Sequence, residues 1–509
     1  MLPANPVSNT ATAIAPRPGA PRVGVLTLGC DKNTVDTERL LGRLASAGAD
    51  VGASLDDAEV IVVNTCGFIE TAKQESIDAI LQAIRMKETG QTRAVVAMGC
   101  LVQRYKAELA EELPEVDLFL GLTEAEQLVP ALQAKGILDK AAHANMAVPR
   151  RLLSTANRHT SHLKISEGCD HTCAFCAIPL MRGKHRSTPI DVLVAEAQEL
   201  EKNGVVELNL ISQDTSWYGR DLARGIVSDA TDYFVGQQFK GMPNIDASSI
   251  VQPRATGARD VANRHGLLPE LLRTLLRETS IPWFRLFYMY PSGIQRELVE
   301  LIASEPRLLP YLDMPLQHGS DRVLARMRRP ERQTTIRERV GWLRDAIPDL
   351  ALRTTVIVGF PGETEEDFQQ LLDLLEEIRF DHVGAFTYSI EEQTAAAEMP
   401  DQVLDEVKLE RLEKLFELQR SIGLERNEAR IGSIEEVLID RITGRDSDVD
   451  GVNTSERGAV GRTRHQAIEV DGVVHLPDAE DLEPGDFVQV EIVSALEDDL
   501  TGVIRGRGS

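Results

Sequence analysis

The sequence predicts an α/β protein in three folded parts: a doubly wound domain with three cysteines, a partial (β/α)6 barrel, and a small antiparallel β-barrel. Three observations support this. Over two stretches of chain, short apolar runs alternate with segments whose apolar residues recur at helical spacing, the pattern of parallel strands joined by crossover helices. The last stretch instead holds short β-rich runs broken by Gly and Asp, as in a small barrel. The length of 509 residues, at roughly 100 to 200 residues per domain, accommodates about three domains.

Residues 1–21 are rich in Pro, Ala, Thr and Asn without apolar periodicity, so a mobile tail is expected there. In the first domain, 22–140, strands are expected at 23–28, 60–63 and 94–98, with a helix over 71–86. A polar connection follows over 141–158. The barrel, 159–395, has strand-like runs at 162–166, 207–212, 284–288, 311–314, 352–359 and 382–388, with helical patterns at 190–202, 267–278 and 365–378. Between 221 and 265 the pattern lapses into mixed Gly, Asp, Ser and Gln, which reads as an inserted loop. A helical connection over 396–430 leads to the terminal part, 431–509, with β-rich runs at 436–439, 472–476, 487–493 and 502–504.

Charge narrows the choice of partners. Acidic residues outnumber basic ones 80 to 55, a net of -25, which repels phosphate backbones and favours a basic protein partner. Residues 431–509 hold eighteen Asp and Glu against seven Arg and no Lys, a net of -11, with Phe487 the single aromatic. A nucleic-acid module should be basic and offer stacking aromatics. No run approaches the ~20 apolar residues of a membrane span, and the first residues lack the basic start and apolar stretch of an export signal. Six cysteines, at 30, 66, 100, 169, 173 and 176, are too few and too dispersed for a secreted disulfide framework, so a reducing cytoplasm is expected.

The cysteines carry the chemistry. Each apolar run of the first domain is followed at once by Gly29-Cys30, Asn64-Thr65-Cys66 or Gly99-Cys100, at spacings of 36 and 34 residues. Strands of a parallel sheet all end at one edge, where open α/β folds bind ligands, so three thiols should converge there. Any one of them could alternatively be core filler, because Cys is small and apolar. The second triplet, Gly168-Cys169-Asp170-His171-Thr172-Cys173-Ala174-Phe175-Cys176, directly follows the first barrel strand. Structural zinc would need a fourth ligand, which His171, His159 or His185 could provide. A four-iron cluster on three cysteines would leave one iron open to a substrate or cofactor. Position at a barrel's active edge favours the cluster.

This C-x3-C-x2-C loop, with an aromatic before its last cysteine, resembles the signature of the radical S-adenosylmethionine (SAM) superfamily. The resemblance implies a radical SAM (β/α)6 barrel in which SAM chelates the open iron. An electron from the reduced cluster would then cleave SAM into methionine and a 5′-deoxyadenosyl radical. It also implies that the backbone around Phe175 approaches the adenine, that the fifth strand packs against it through Ile357, and that Gln213 stands at the amino-group contact. There Ser212-Gln213-Asp214 replaces the superfamily's Gly-Gly-Glu.

With the first triplet added, the chain from Arg22 onward resembles the methylthiotransferases, whose terminal barrel is TRAM-like. That family implies a second four-iron cluster on Cys30, Cys66 and Cys100, and so two [4Fe-4S] clusters with SAM as cosubstrate. One branch acts on tRNA adenosines; the RimO-type branch acts on an aspartate of small-subunit ribosomal protein twelve, free or in the ribosome. Several stretches resemble the second branch: Leu28-Gly29-Cys30-Asp31-Lys32-Asn33, Asn64-Thr65-Cys66-Gly67-Phe68-Ile69, Gln213-Asp214-Thr215, Asp313-Met314-Pro315-Leu316-Gln317-His318 and Val470-Asp471-Gly472-Val473-Val474. Asp313 or His318 alone is more often structural than functional.

The resemblance therefore implies an enzyme that replaces an aspartate β-hydrogen with a methylthio group. One SAM would methylate the delivered sulfur and another would generate the radical. An electron donor protein would be needed, with neither a membrane nor stable tRNA binding. A tRNA methylthiotransferase is the alternative within the family; a non-catalytic scaffold holding structural zinc at both triplets is the alternative outside it.

Overall fold

A computed structural model describes residues 19–90, 92–139, 151–153, 158–223, 266–444, 458–479 and 481–507. The expected tail, apart from 19–21, and the expected inserted loop, apart from 221–223, lie outside the described residues.

The first domain contains β1 (Val23–Thr27), α1 (Asp31–Ser46), β2 (Val60–Thr65), α2 (Glu70–Thr89), β3 (Ala94–Gly99), α3 (Cys100–Glu112), β4 (Leu118–Gly121) and α4 (Leu128–Ala134). Strands β2 and β3 are buried along their whole length, which their Val-rich sequences permit. All pairings are parallel in the order β1-β2-β3-β4. A parallel bridge between Arg22 and Asp50 adds a short edge on the far side of β1. The chain thus moves one way from β1 through α1, then reverses to β2, β3 and β4. Accordingly α1 and α4 pack on one face and α2 and α3 on the other. The switch point of this doubly wound sheet lies between β1 and β2, the position where such folds open a crevice for ligands. Strand β4, a four-residue Leu-Phe-Leu-Gly, is too short to announce itself by periodicity.

The central sheet joins six parallel strands: β5 (Thr160–Lys164), β6 (Glu207–Ile211), β7 (Trp283–Leu286), β8 (Leu308–Asp313), β9 (Ala351–Val358) and β10 (His382–Thr387), in sequential order with β5 and β10 at its free edges. All six expected strands are present. Leu163, Leu208, Leu210, Phe284, Leu286, Leu352 and Val356 face outward and pack in one core with the surrounding helices. The alternate, inward positions carry Thr160, Glu207, Arg285 and Arg353.

The first domain closes the gap that the partial barrel leaves. Helix α1 packs along β5, covering a free edge that would otherwise offer unpaired backbone groups. At the other edge, Lys73 of α2 and Arg104 of α3 hold Glu391, just beyond β10, at 2.9 and 3.1 Å. The expected polar connection also contains a buried clamp. Arg151 pairs with Glu38 of α1 at 2.6 Å and with Glu196 at 3.0 Å, and donates to the His162 carbonyl at 2.6 Å.

The terminal domain is a closed barrel of β11 (Ile434–Thr443), β12 (Gly458–Thr463), β13 (Val474–Leu476), β14 (Phe487–Ala495) and β15 (Leu500–Arg507), in the order β11-β12-β13-β15-β14. The expectation of an antiparallel barrel needs one correction, because β13 and β15 run parallel. A closed ring with an odd number of strands cannot alternate direction throughout. Strand β12 was not expected: Gly458, Gly461 and Arg462 mask its period, and a Cβ at Gly461 would run into the Leu438 backbone.

This barrel closes the base of the central one. Arg462, almost wholly buried, reaches Glu207 at the start of β6 at 2.6 Å and Asp440 at 2.7 Å. Glu207 also pairs with Arg285 at 2.9 Å, and His159 reaches Asp440 at 2.8 Å. Several acids behind the net charge of -11 therefore face inward, including Asp440, Asp471 and, paired with Arg430, Glu435.

Candidate functional site

Cys30, Cys66 and Cys100 follow the carboxyl ends of β1, β2 and β3, as the spacing implied. Gly29 and Gly99 turn the chain with φ of +92° and +105°, a region that glycine occupies without penalty. A Cβ on Gly29 would lie 2.8 Å from Cys66 Cβ and 2.9 Å from its Sγ, so the first loop rests directly on the second thiol. Asn33 ties the loops together. Its Nδ2 donates to the Leu28 carbonyl at 2.7 Å and the Thr65 carbonyl at 3.2 Å, and Cys100 Sγ lies 3.7 Å from its Oδ1. Ser76 Oγ clamps Cys66, accepting from its N–H and donating to its carbonyl, both at 2.9 Å. Burial pushes the Cys66 thiol up to about 11 and Cys100 to about 12, against the pull of the nearby Arg182 guanidinium. Binding a metal group here must therefore displace protons.

Gly29→Ala should cost about 1–2 kcal/mol from the left-handed backbone alone. It should also push Cys66 aside. The expected result is loss of iron from the first triplet with retention at the second, read by iron analysis of the variant with and without Cys169, Cys173 and Cys176.

The second triplet occupies the loop after β5. Cys169 N–H donates to the Gly183 carbonyl at 3.0 Å, and Ala174 is held on both sides, by Met327 O at 2.9 Å and Ala396 N–H at 2.8 Å. Burial raises Cys169 and Cys176 to about 12. Tyr290 OH lies 3.8 Å from Cys173 Sγ, with its ring between His171, stacked at 4.2 Å, and the Arg329 guanidinium at 3.8 Å. Phe175 and Ile357, both expected at the cofactor, meet in one apolar cluster with Phe360 and Tyr388. Gln213 donates to Glu167 at 3.3 Å, while its Oε1 is buried without a partner among the described residues, an acceptor suited to an ammonium donor.

Each histidine that could complete a zinc site has one ring nitrogen, Nε2, already bonded. His171 bonds Asp214 at 2.8 Å, His159 bonds Asp440 at the base, and His185 contacts Ser187 at 3.1 Å. Among the described residues, no set of His, Cys, Asp and Glu groups is arranged to hold a single metal ion. A four-iron cluster asks for something different, one thiolate per iron spread around a cuboid. The donor sets fit it: three thiols apiece, each beside one buried arginine that offsets thiolate charge. Arg182 lies by Cys30 and Cys100, and Arg329 by Cys173.

The two triplets share one mouth. Helix α5 (Ile178–Arg182) leaves the second cysteine loop, and its Met181, with Ala177 before it, packs against Cys100. Arg182 then donates to Asn33 Oδ1 at 2.6 Å and to Glu167 at 2.9 Å, so a partly buried polar chain runs from Gln213 to Cys100. Beyond β7, Tyr288 reaches the Cys30 loop through Asp31 at 3.3 Å, and Tyr290 reaches Cys173. Two residues of backbone, at most about 7 Å, therefore join the two sites.

The stretches that suggested a family have definite roles. Asp313 accepts from Tyr288 N–H at 3.1 Å and pairs with Arg353 at 3.2 Å; Thr215 N–H donates to Tyr288 O at 3.0 Å. Asp471 holds Arg353 at 3.3 Å and accepts from Tyr311 OH at 2.8 Å, docking the terminal barrel. His318 is buried and accepts from Ser320 N–H at 2.9 Å, a local structural role. Arg182, Arg329, Tyr288 and Tyr290 were not singled out from sequence, since nothing in their spacing marks them.

Residues 22–121 match the Uncharacterized protein family UPF0004, 163–375 the Radical SAM superfamily and 431–504 the TRAM domain. A solved structure of the radical S-adenosylmethionine methyltransferase TsrM from Kitasatospora setae, with cobalamin and a [4Fe-4S] cluster bound, shares the fold. Its TM-score is 0.50 at 13% identity, over 74% of this chain and 77% of that one. Fold and site together define a radical SAM protein with an added three-cysteine domain and a TRAM barrel. "Ribosomal protein uS12 methylthiotransferase RimO" of Anaeromyxobacter sp. (strain K) is 44% identical, over 96% of this chain and 94% of its own. Proteins of the same name from Symbiobacterium thermophilum and Geobacter sulfurreducens are 42% and 39% identical, over 94% and 95% of this chain and 90% and 98% of theirs. The chain belongs to the RimO family of methylthiotransferases.

Proposed function

We propose that each cysteine triplet holds a four-iron cluster and that the enzyme attaches a methylthio group to the β-carbon of an aspartate in ribosomal protein uS12. The observation that carries this reading is the pairing of two three-thiol sites at one barrel mouth, joined by Tyr288 and Tyr290. When bound, the clusters and SAM supply the sulfur and the radical needed to break an unactivated C–H bond. The chain's residues do the rest. Cys169, Cys173 and Cys176 would hold the SAM-binding cluster, Phe175 and Ile357 would provide an apolar wall for the adenine, and Gln213 Oε1 would be the acceptor for the SAM ammonium. Cys30, Cys66 and Cys100 hold the sulfur-carrying cluster. The first domain covers the free edges of the barrel beside both sites, while Cys30 stays open to solvent at the mouth.

The reaction needs an electron donor protein and a reducing, cytoplasmic setting; among the described residues no helix is long and apolar enough to cross a membrane. An acidic terminal barrel with Phe487 as its single aromatic favours a basic ribosomal protein over tRNA. Mass spectrometry of ribosomal proteins from cells with and without the gene tests the reading: uS12 should lose the methylthio mass increment when the gene is absent. Unchanged uS12 together with loss of a methylthiolated tRNA adenosine would move the enzyme to the tRNA branch. Iron with matching acid-labile sulfide in anaerobically purified protein would rule out the zinc scaffold.

A further inference from the structure

We infer that Lys32 is the residue that binds the carboxylate of the target aspartate. This rests on the substrate reading above and names a part of the site that it leaves open. An aspartate presented to the mouth brings a negative charge, and burying it requires a cation that is not already neutralised.

The cations around the two triplets can be compared directly. Arg182 is paired with both Asp36 and Glu167 and donates to Asn33. Lys164 is paired with the same two carboxylates. Arg353 lies between Asp313 and Asp471. Arg329 stands by Glu331 and faces Cys173. Among the described residues Lys32 has one carboxylate neighbour, Asp31, at 3.2 Å. Asp31 is itself shared, since it accepts from the Lys32 backbone N–H at 3.0 Å and from Tyr288 OH at 3.3 Å. The ammonium also lies over the face of Tyr288, 3.1 Å from the ring centroid. A ring face attracts a cation without neutralising it, so capacity remains for an incoming carboxylate.

The support beneath Lys32 is built, and at a cost. Tyr288 has φ of +58°, a left-handed conformation rarely adopted by an aromatic residue. It is held there by Asp313 on its N–H and Thr215 on its carbonyl. Strain of this kind persists where the surroundings over-determine it, and it clusters at ligand sites. Here it presents the ring to Lys32, two residues after Cys30, with Tyr290 at Cys173 just beyond. A carboxylate on Lys32 would sit beside Tyr288, two residues before the Tyr290 that contacts Cys173. The Lys32 side chain keeps 8% exposure, which suits a cation that is reached only from the mouth.

The test is a double-mutant cycle on the anaerobically reconstituted full-length enzyme, with peptides spanning the modified uS12 loop that carry Asp or Asn at the target position. Binding is followed by fluorescence anisotropy. Wild type should prefer the Asp peptide by about tenfold, the range of a partly desolvated charge pair. Lys32→Met, which keeps the aliphatic stem, should bind both peptides equally, and Lys32→Arg should restore part of the preference. An undiminished preference in Lys32→Met overturns the assignment, as does wild type that binds both peptides alike. A changed electron paramagnetic resonance signal of the first cluster in Lys32→Met, with the peptide preference intact, would assign Lys32 to the cluster instead. Wild type that binds neither peptide, and leaves uS12 unmodified, would count against the substrate reading itself, an outcome distinct from the others.

Discussion

Replacing Cys169, Cys173 and Cys176 together with Ala should remove about half of the protein-bound iron and all reductive cleavage of SAM, because that triplet is the one in the loop of Phe175, which meets Ile357 in the apolar cluster proposed for the adenine. The complementary replacement of Cys30, Cys66 and Cys100 should also remove about half of the iron, yet leave SAM cleavage measurable and stop methylthio transfer. Iron and sulfide analysis together with chromatography of 5′-deoxyadenosine read both outcomes. SAM cleavage surviving in the first triple variant would refute the division of roles. The shared mouth adds a further expectation. Because Cys100 packs against Ala177 and Met181, and Arg182 bridges to Asn33, losing one site should alter the spectroscopic signal of the other without removing its iron.

The second large effect concerns the base of the barrel. Arg462→Met should destabilise the protein by about 3–5 kcal/mol, the usual consequence of leaving buried charges without a counter-ion. Among the described residues Glu207 then keeps Arg285 as its one counter-ion, and Asp440 keeps His159. Thermal unfolding of the variant measures the loss. The same network predicts an acid dependence. Burial works against the ionised form of Glu207, yet Arg462 and Arg285 hold its carboxyl down at about 2. A carboxyl depressed in the folded state contributes fully above its ordinary value near ~4.3, and that contribution is lost as pH falls through about 2. Wild type should therefore lose stability progressively below about pH 4, with a steeper slope than Arg462→Met. Equal slopes would show that the ion pairs contribute nothing. Deleting the whole terminal barrel would expose these same charges, so surface substitutions at its outward acids are the better test of its role in recognising uS12.

Much of the architecture was written locally. The alternation of apolar runs with helical segments marked all six strands of the central barrel. The glycine and cysteine after each strand of the first domain located the mouth, because parallel strands must end at one edge. The cysteine triplets, the absence of a further thiol to complete either, and the acidic terminal domain follow from composition and spacing alone, as does the resemblance of the ordered stretches from Leu28 to Val474 to one family. Tertiary structure decided everything that depends on contacts between distant segments. That α1 and Glu391 close the two free edges, that Arg151 is a buried clamp within an otherwise polar connection, and that the terminal barrel seals the base through Arg462 are all pairings across more than a hundred residues or between separate domains. So too are Arg182 and Arg329 beside the thiols, and Tyr288 held in a left-handed turn under Lys32. Hydrophobic periodicity records which face of an element is buried. It does not record which charged side chain a given charge will meet, because a pair such as Glu207 and Arg462 is defined only once two separate barrels dock.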